Sequence, residues 1–146
     1  MKIILLGNSL STMINFRKHL IDYLAEKNHQ VFLIVPIDII LPNNLFKRNV
    51  YIKNINFSRS IKIHKECQSI FQAIKYLKQI KPDIVFSYSL KICIFAMLIV
   101  WKAVLCNVIT GLGSAFKIKK YRYSTIGILY IIKFIRKFSK KTIFIF

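Results

Sequence analysis

Small polar residues and glycines follow four apolar runs of the sequence. They occur in "GNSLST" (7–12), "SRS" (58–60), "SYSLK" (87–91) and "TGLGS" (110–114). Their side chains supply hydroxyl and amide groups, and a glycine lets a ligand approach the backbone closely. If the four apolar runs are parallel strands, their carboxyl ends meet at one end of a sheet, where ligands bind in open α/β folds. The four segments therefore predict one shared binding site.

Three cations near these segments, Arg17, Arg59 and Lys91, are suited to neutralise a phosphate group. Free N–H groups at helix N-termini would favour the same anionic ligand. Small polar residues are also common in ordinary turns, so each segment alone is a weak signal. The predicted substrate-binding residues are Gly7, Asn8, Ser9, Asn15, Arg17, Ser58, Arg59, Ser87, Lys91, Thr110, Gly111 and Gly113.

Several other kinds of chemistry find no support in the sequence. The first turn lacks the spaced glycines of a dinucleotide-binding loop, and no GxxxxGK[ST] phosphate loop occurs. His19, His29 and His64 lack metal-ligand spacing, so no metal site and no cofactor are expected. The aspartates, including Asp38 in a predicted loop, do not form the carboxylate pair of a hydrolase. No catalytic residue is assigned.

Apolar runs of four to eight residues alternate with stretches of helical period. This pattern is typical of parallel strands covered by helices, and it predicts an α/β fold with a parallel sheet of about six strands and helices on both faces. The predicted strands are Lys2–Leu6, Gln30–Val35, Val50–Phe57, Asp83–Ser89, Asn107–Thr110 and Thr142–Phe146. The predicted helices run from a cap at Ser11 or Thr12 to near Asn28, from Ile63 to before Pro82, over Ile92–Leu105 and over Ser124–Lys141.

The chain is strongly basic for its length of 146 residues, which suits one domain. Its formal net charge of +19 comes from 24 Lys and Arg against 5 Asp and Glu. Such a charge indicates nucleic acid, an anionic membrane or a phosphorylated substrate as a neighbour, although a biased genome base composition would also produce it. Most Phe and Tyr residues fall in predicted core runs, so a nucleic-acid-binding module is the alternative hypothesis and no nucleic-acid partner is expected.

The cysteines, the N-terminus and the longest apolar run indicate the cellular compartment of the protein. Cys67, Cys93 and Cys106 lie inside apolar runs, which favours buried, reduced thiols. The N-terminus does not resemble a signal peptide, and the apolar run 92–101 is too short to cross a bilayer. We expect a cytoplasmic protein.

The last predicted helix carries a basic stripe beside a broad apolar face. The stripe is formed by Lys133, Arg136, Lys137 and Lys140, with Tyr130 and Phe134 nearby. A basic amphipathic helix of this kind is suited to the surface of an anionic leaflet. The solvated face of an ordinary packing helix is the alternative.

Taken together, the segments resemble the N-terminal half of bacterial family-4 glycosyltransferases of the two-domain GT-B fold. The likeness is greatest to the branch that adds N-acetylhexosamines to lipid-linked oligosaccharides. It covers nearly the whole chain through "NSLSTMINFRKHLI", "VFLIVP", "FSRS", "LKQIKPDIVFSYSLK", "ITGLGSAF" and "KKTIFIF".

The resemblance implies that residues 1–146 form the acceptor-side domain, one Rossmann-like half of the GT-B fold, incomplete at its C-terminus. It implies a lipid-linked glycan acceptor, and a UDP-sugar donor held mainly by a second domain or a partner chain, so that the chain alone is expected to be inactive or to need a partner chain. It places the enzyme at the inner face of the membrane in surface glycan synthesis, and lets the first turn border the interdomain cleft. In several relatives a His stands at the position of Leu90, directly before the Lys that corresponds to Lys91. Because this chain has Leu there, no catalytic His is assigned to it.

Overall fold

The structure, a computed structural model, describes residues 1–40, 45–46, 48–56, 63–100, 102–109 and 142–145, and describes residues 63–67 by their backbone alone. The strands are β1 (Lys2–Leu6), β2 (Gln30–Val35), β3 (Val50–Asn54), β4 (Ile84–Tyr88), β5 (Val104–Val108) and β6 (Thr142–Ile145). The helices among these residues are α1 (Leu10–Glu26), α2 (Ile63–Ile80) and α3 (Leu90–Ile99).

The strands are all parallel and form one sheet in the order β3-β2-β1-β4-β5-β6. β1 lies between β2 and β4, with Leu5 in register with both Leu33 and Phe86. The strand order reverses at β1, because the chain first moves outward to β3 and then crosses to β4. The predicted α/β fold with a parallel sheet of about six strands is confirmed.

Helices cover both faces of this sheet, which explains why Ile3 to Leu6 are all buried. On one side, here the α1 face, Met13 and Ile21 of α1 share a buried cluster with Leu5 and Leu33. On the other side, here the α2/α3 face, α2 and α3 pack on the sheet. That cluster includes Ile4, Leu6, Ile34, Ala73, Leu77, Val85, Ile92, Cys93, Ala96 and Leu105.

The sequence prediction is wrong about the boundary between α3 and β5. It placed one helix over Ile92–Leu105, whereas α3 ends at Ile99 and Val104 already pairs with Ile84 of β4. The fifth strand is therefore Val104–Val108 rather than 107–110. A continuous apolar run fits a buried helix and a buried strand equally well, so periodicity alone does not divide it.

Two smaller boundaries also differ from the prediction. The third strand ends at Asn54 instead of Phe57, and α1 is capped by Ser9 rather than by Ser11 or Thr12. Ser9 has an extended backbone (φ −165°) and its side chain accepts a hydrogen bond from the Thr12 amide, which are the properties of an N-cap. The helix predicted over 124–141 lies outside the described residues.

Candidate functional site

The carboxyl ends of the parallel strands bring together chain segments that are distant in sequence. The turn after β1, the residues after β2 and the starts of α1 and α3 all lie at this end of the sheet. Seven predicted site residues belong to the described part of the chain at or near this end: Gly7, Asn8, Ser9, Asn15, Arg17, Ser87 and Lys91. Their role in substrate binding stays a prediction, and their surroundings differ widely.

Gly7 lies in a closely packed first turn. A Cβ at this position would collide with Cε of Met13 and lie 3.3 Å from Cγ1 of Val35. Its amide donates to the carbonyl of Ile34 at 3.2 Å, which continues the β1–β2 pairing. Gly7 therefore allows α1 to sit close to the sheet, which is a structural reason for this glycine apart from any ligand.

The N-terminus of α1 is saturated with acceptors from the chain itself. The amide of Leu10 donates to the carbonyl of Pro36 at 2.9 Å, and the amide of Met13 to the carbonyl of Ser9 at 3.4 Å. The Thr12 amide donates to Oγ of Ser9 at 3.2 Å. The amides of Leu10 and Thr12 belong to the first turn, where N–H groups have no partner within the helix, whereas the Met13 amide makes the first regular hydrogen bond of the helix.

The remaining amide of this turn donates to a carboxylate that follows β2. The amide of Ser11 lies 2.9 Å from Oδ1 of Asp38, and Oγ of Ser11 donates to Oδ2 of the same group at 2.6 Å. These hydrogen bonds from Ser11 lower the pKa of Asp38 below its ordinary value, so the exposed carboxylate is charged at neutral pH. The first turn thus holds a carboxylate of its own chain where an anionic ligand would bind.

Sequence reasoning placed Asp38 in a loop and did not assign it to the site. One signal was available, because Asp38 follows β2 by three residues and the carboxyl ends of β1 and β2 are adjacent. Asn8 is exposed beside this contact, and its Oδ1 accepts a hydrogen bond from Oγ1 of Thr12 at 3.2 Å. Asn15 is exposed on α1.

Arg17 reaches from α1 to the end of β4. Its Cζ lies 4.8 Å from the ring centroid of Tyr88, and its Nη1 donates to the carbonyl of Phe16 at 2.8 Å. Burial raises the pKa of the Tyr88 phenol, and the neighbouring guanidinium opposes part of this rise. The structure thus fixes a half-buried cation at the carboxyl end of the sheet, over an aromatic ring that limits its motion.

The turn between β4 and α3 has an unusual backbone. Ser89 precedes the helix with φ 75° and ψ 147°, and its side chain makes no capping hydrogen bond. A side chain at positive φ costs roughly 1–3 kcal/mol. Lys91 follows in the first turn of α3, with its Nζ 5.6 Å from the ring centroid of Phe95.

Ser87 and Asn107 form a buried polar pair beneath the start of α3. Both residues are fully buried, and Oγ of Ser87 donates to Oδ1 of Asn107 at 2.5 Å. The thiol of Cys93 on α3 lies 3.2 Å from the same hydroxyl. Among the residues that the structure describes, the buried Nδ2 of Asn107 has no hydrogen-bond partner. Ser87 therefore faces the α2/α3 core, where its hydroxyl already has a partner.

The remaining predicted site residues lie outside the described residues. These are Ser58, Arg59, Thr110, Gly111 and Gly113 of the strand-end segments, and Lys133, Arg136, Lys137 and Lys140 of the basic stripe. Among the residues that the structure describes, no cluster of His, Cys, Asp and Glu could hold a metal ion. The helices described also include none with the length and apolar character needed to cross a membrane.

The described side chains at this end of the sheet include several polar and charged groups. Hydroxyls and an amide surround the α1 start, whereas a cation and a phenol lie at the end of β4. Such groups recognise sugar hydroxyls and phosphate oxygens through hydrogen bonds and charge. Within the described ranges, no nucleophile is paired with a general base in the manner of a covalent enzyme.

Solved structures share this fold at low sequence identity. MurG of Acinetobacter baumannii matches 73% of this chain and 34% of its own, with 17% identity and a TM-score of 0.53. The lipopolysaccharide outer core galactosyltransferase WaaB matches 73% of this chain and 32% of its own, with 15% identity and a TM-score of 0.51.

Sucrose-phosphate synthase of Thermosynechococcus elongatus matches 92% of this chain and 40% of its own, with 12% identity and a TM-score of 0.57. The chain thus spans between 32% and 40% of the length of these three proteins. Its fold is that of one Rossmann-like half of a GT-B glycosyltransferase.

A comparison with curated protein sequences finds no significant match. A family model described as "Glycosyl transferase 4-like" matches residues 2–146. Since this match covers nearly the whole chain, the protein belongs to the glycosyl transferase 4-like family.

Proposed function

We propose that the chain is the acceptor-side domain of a glycosyltransferase that transfers a sugar from a UDP-sugar to a lipid-linked glycan. The transferred sugar is an N-acetylhexosamine. The acceptor is a glycan linked to a lipid diphosphate at the inner face of the cell membrane. The donor nucleotide is held by a further domain or by a partner chain, and the product enters surface polysaccharide or glycan synthesis.

The family match over residues 2–146 carries this proposal. It is supported by the cation that the fold holds at the carboxyl end of the sheet, where ligands of parallel α/β sheets bind. Arg17 stacks on Tyr88 there, so its guanidinium is oriented before any ligand arrives. Orientation in advance lowers the entropy cost of binding a phosphate group.

Arg17 provides the test of acceptor binding. The probe is an undecaprenyl diphosphate that carries one N-acetylhexosamine, presented in detergent micelles. Replacing Arg17→Ala should weaken its binding roughly tenfold or more, because a charge-assisted hydrogen bond is worth about 1.5–3 kcal/mol. Lys75→Ala is the matched control, since Lys75 is an exposed cation of α2. Calorimetry or fluorescence anisotropy gives the dissociation constants.

Two results would contradict the proposal. In one, the acceptor binds equally well to the parent chain and to both variants, which would remove Arg17 from the site. In the other, the chain binds single-stranded oligonucleotides tightly at moderate salt and does not bind the acceptor, which would favour the nucleic-acid hypothesis. With a donor-binding domain supplied, the Arg17→Ala chain should also show transfer lowered by at least the same factor.

The membrane contact is a separate part of the proposal and has its own test. Changing Lys133, Arg136, Lys137 and Lys140 to Glu should abolish sedimentation with phosphatidylglycerol vesicles, because each basic residue near an anionic leaflet contributes about 1 kcal/mol. Raising the salt should release the parent chain in the same way. Equal binding of the two folded proteins would show that the basic stripe is an ordinary solvated face.

A further inference from the structure

Asp38 occupies a position that open α/β folds commonly use for phosphate. Helix N-termini attract anions through free N–H groups and the helix dipole. At the start of α1, the amide and the hydroxyl of Ser11 both donate to the Asp38 carboxylate, at 2.9 and 2.6 Å. The other two amides of this turn donate to Pro36 and Ser9. A phosphate at this position would have to displace a charged group of the same chain.

Asp38 is also distinct from the other acidic residues whose side chains the structure describes. Asp22 pairs with Lys18 on the same helix at 2.6 Å. Asp83 accepts a hydrogen bond from the amide of Lys2 at the start of β1, which is the opposite end of the sheet. Glu26 lies at the far end of α1. In a chain with a net charge of +19, the described carboxylate at the carboxyl end of the sheet is therefore that of Asp38.

The opposite charge lies farther along the same end of the sheet. Arg17 stacks on Tyr88 at the end of β4, and Lys91 follows in α3. Among the described residues, the β2 half of this end contains Asp38 at the start of α1, with Lys53 of β3 turned towards Tyr76 on the α2/α3 face, and the β4 half contains cations. An anionic ligand is repelled from the first half and attracted to the second.

We propose that Asp38 is a specificity-determining residue that keeps phosphate groups away from the first turn. The diphosphate of a substrate then binds on the side of Arg17 and α3, and uncharged parts of the substrate lie against Asn8 and the start of α1. This assignment rests on the proposed glycosyltransferase function for the nature of the substrate. The exclusion of phosphate from the first turn is tested without that substrate.

The test is a titration of the whole chain with inorganic pyrophosphate, followed through the amide NMR signals of residues 10–13. In the parent protein these signals should not move. In Asp38→Ala, the Ser11 amide loses its acceptor, and its signal should shift as pyrophosphate is added. The dissociation constant for pyrophosphate should be roughly tenfold or more lower than the lower limit measured for the parent. Asp22→Ala is the control, because it removes the same charge from the middle of α1 and should behave as the parent does.

Asp38→Asn serves as the second variant, since it keeps an acceptor oxygen for the Ser11 amide and removes the charge. It should give an intermediate pyrophosphate affinity and guards against a folding defect in Asp38→Ala. Pyrophosphate shifts at residues 10–13 of the parent as strong as those in Asp38→Ala would overturn the proposal, and so would the absence of any gain in both Asp38 variants. If the pyrophosphate results are as expected but the chain does not bind the lipid-linked acceptor, the proposed function is refuted and the role of Asp38 is not.

Discussion

Two helices begin at the same end of the sheet, and their N-termini are built in opposite ways. Ser9 caps α1 with an extended backbone, and the amides of residues 10–13 all have acceptors from the chain itself. Ser89 precedes α3 at positive φ and supplies no side-chain cap. Beneath α3, the buried Nδ2 of Asn107 has no hydrogen-bond partner in the described part of the chain.

The start of α1 is thus stabilised by hydrogen bonds, whereas the start of α3 carries backbone strain. Saturated hydrogen bonds hold α1 in place and occupy the amides that an anionic ligand would use. Strained backbone and unsatisfied buried groups lower stability, and they persist at positions that the surrounding structure determines strongly. We therefore expect substitutions at the α1 start to lower the stability of the protein. Substitutions at the α3 start should lower the stability in some cases and raise it in others.

The largest stability effect is expected at the buried polar pair. Ser87→Ala leaves Oδ1 of Asn107 without its donor, and an unsatisfied buried group costs about 1–3 kcal/mol. For a loss of about 2 kcal/mol, the melting temperature should fall by roughly 4–8 °C. The double variant Ser87→Ala with Asn107→Val removes both partners and should recover most of this loss. Additive losses in calorimetry would show that the pair does not act as one unit.

The two serines that precede the helices give a matched comparison of intermediate size. Ser9→Ala should cost about 1 kcal/mol because it removes the cap of the Thr12 amide. Ser89→Ala should cost almost nothing, since Ser89 makes no side-chain cap.

Ser89→Gly should stabilise the protein by about 1 kcal/mol, because glycine adopts positive φ without steric cost. Urea unfolding of these variants measures the differences. Equal losses in Ser9→Ala and Ser89→Ala would contradict the contrast between the two helix starts.

The smallest effect is a pH dependence at the α1 start. The pKa of Asp38 is lowered in the folded protein, so its carboxylate contributes stability above its unfolded pKa of about 4. This contribution is lost as the pH falls through the lower folded pKa. The difference in unfolding free energy between the parent and Asp38→Asn should therefore be measurable at pH 6 and shrink towards pH 3. A difference that grows on acidification would mean that Asp38 is not held as a charged group.

The sequence predicted β1 and β2 with their observed bounds because glycine, proline and polar residues stand at their ends. It misplaced β5 because the run from Ile92 to Leu105 carries a single charged residue and no breaker. Ser87 could have been recognised as facing the core, since it shares a face of β4 with the buried Val85.

The contact between Ser11 and Asp38 was beyond the reach of local patterns. The two residues are 27 positions apart, and only the adjacency of β1 and β2 brings them together. The strain at Ser89 was equally hidden, because serine is an ordinary residue before a helix and its sequence neighbours do not indicate positive φ.

The two described cysteines lie on opposite faces of the sheet, so their reactivity reports on the exposure of each face. Cys93 packs in the α2/α3 core, and Cys106 alternates with Leu105 and Asn107 and so faces the other side. Burial raises the pKa of both thiols, so neither reacts readily while its layer is closed. Timed labelling with a thiol reagent, followed at Cys93 and at Cys106 separately, would therefore measure how often each face of the sheet becomes exposed to solvent.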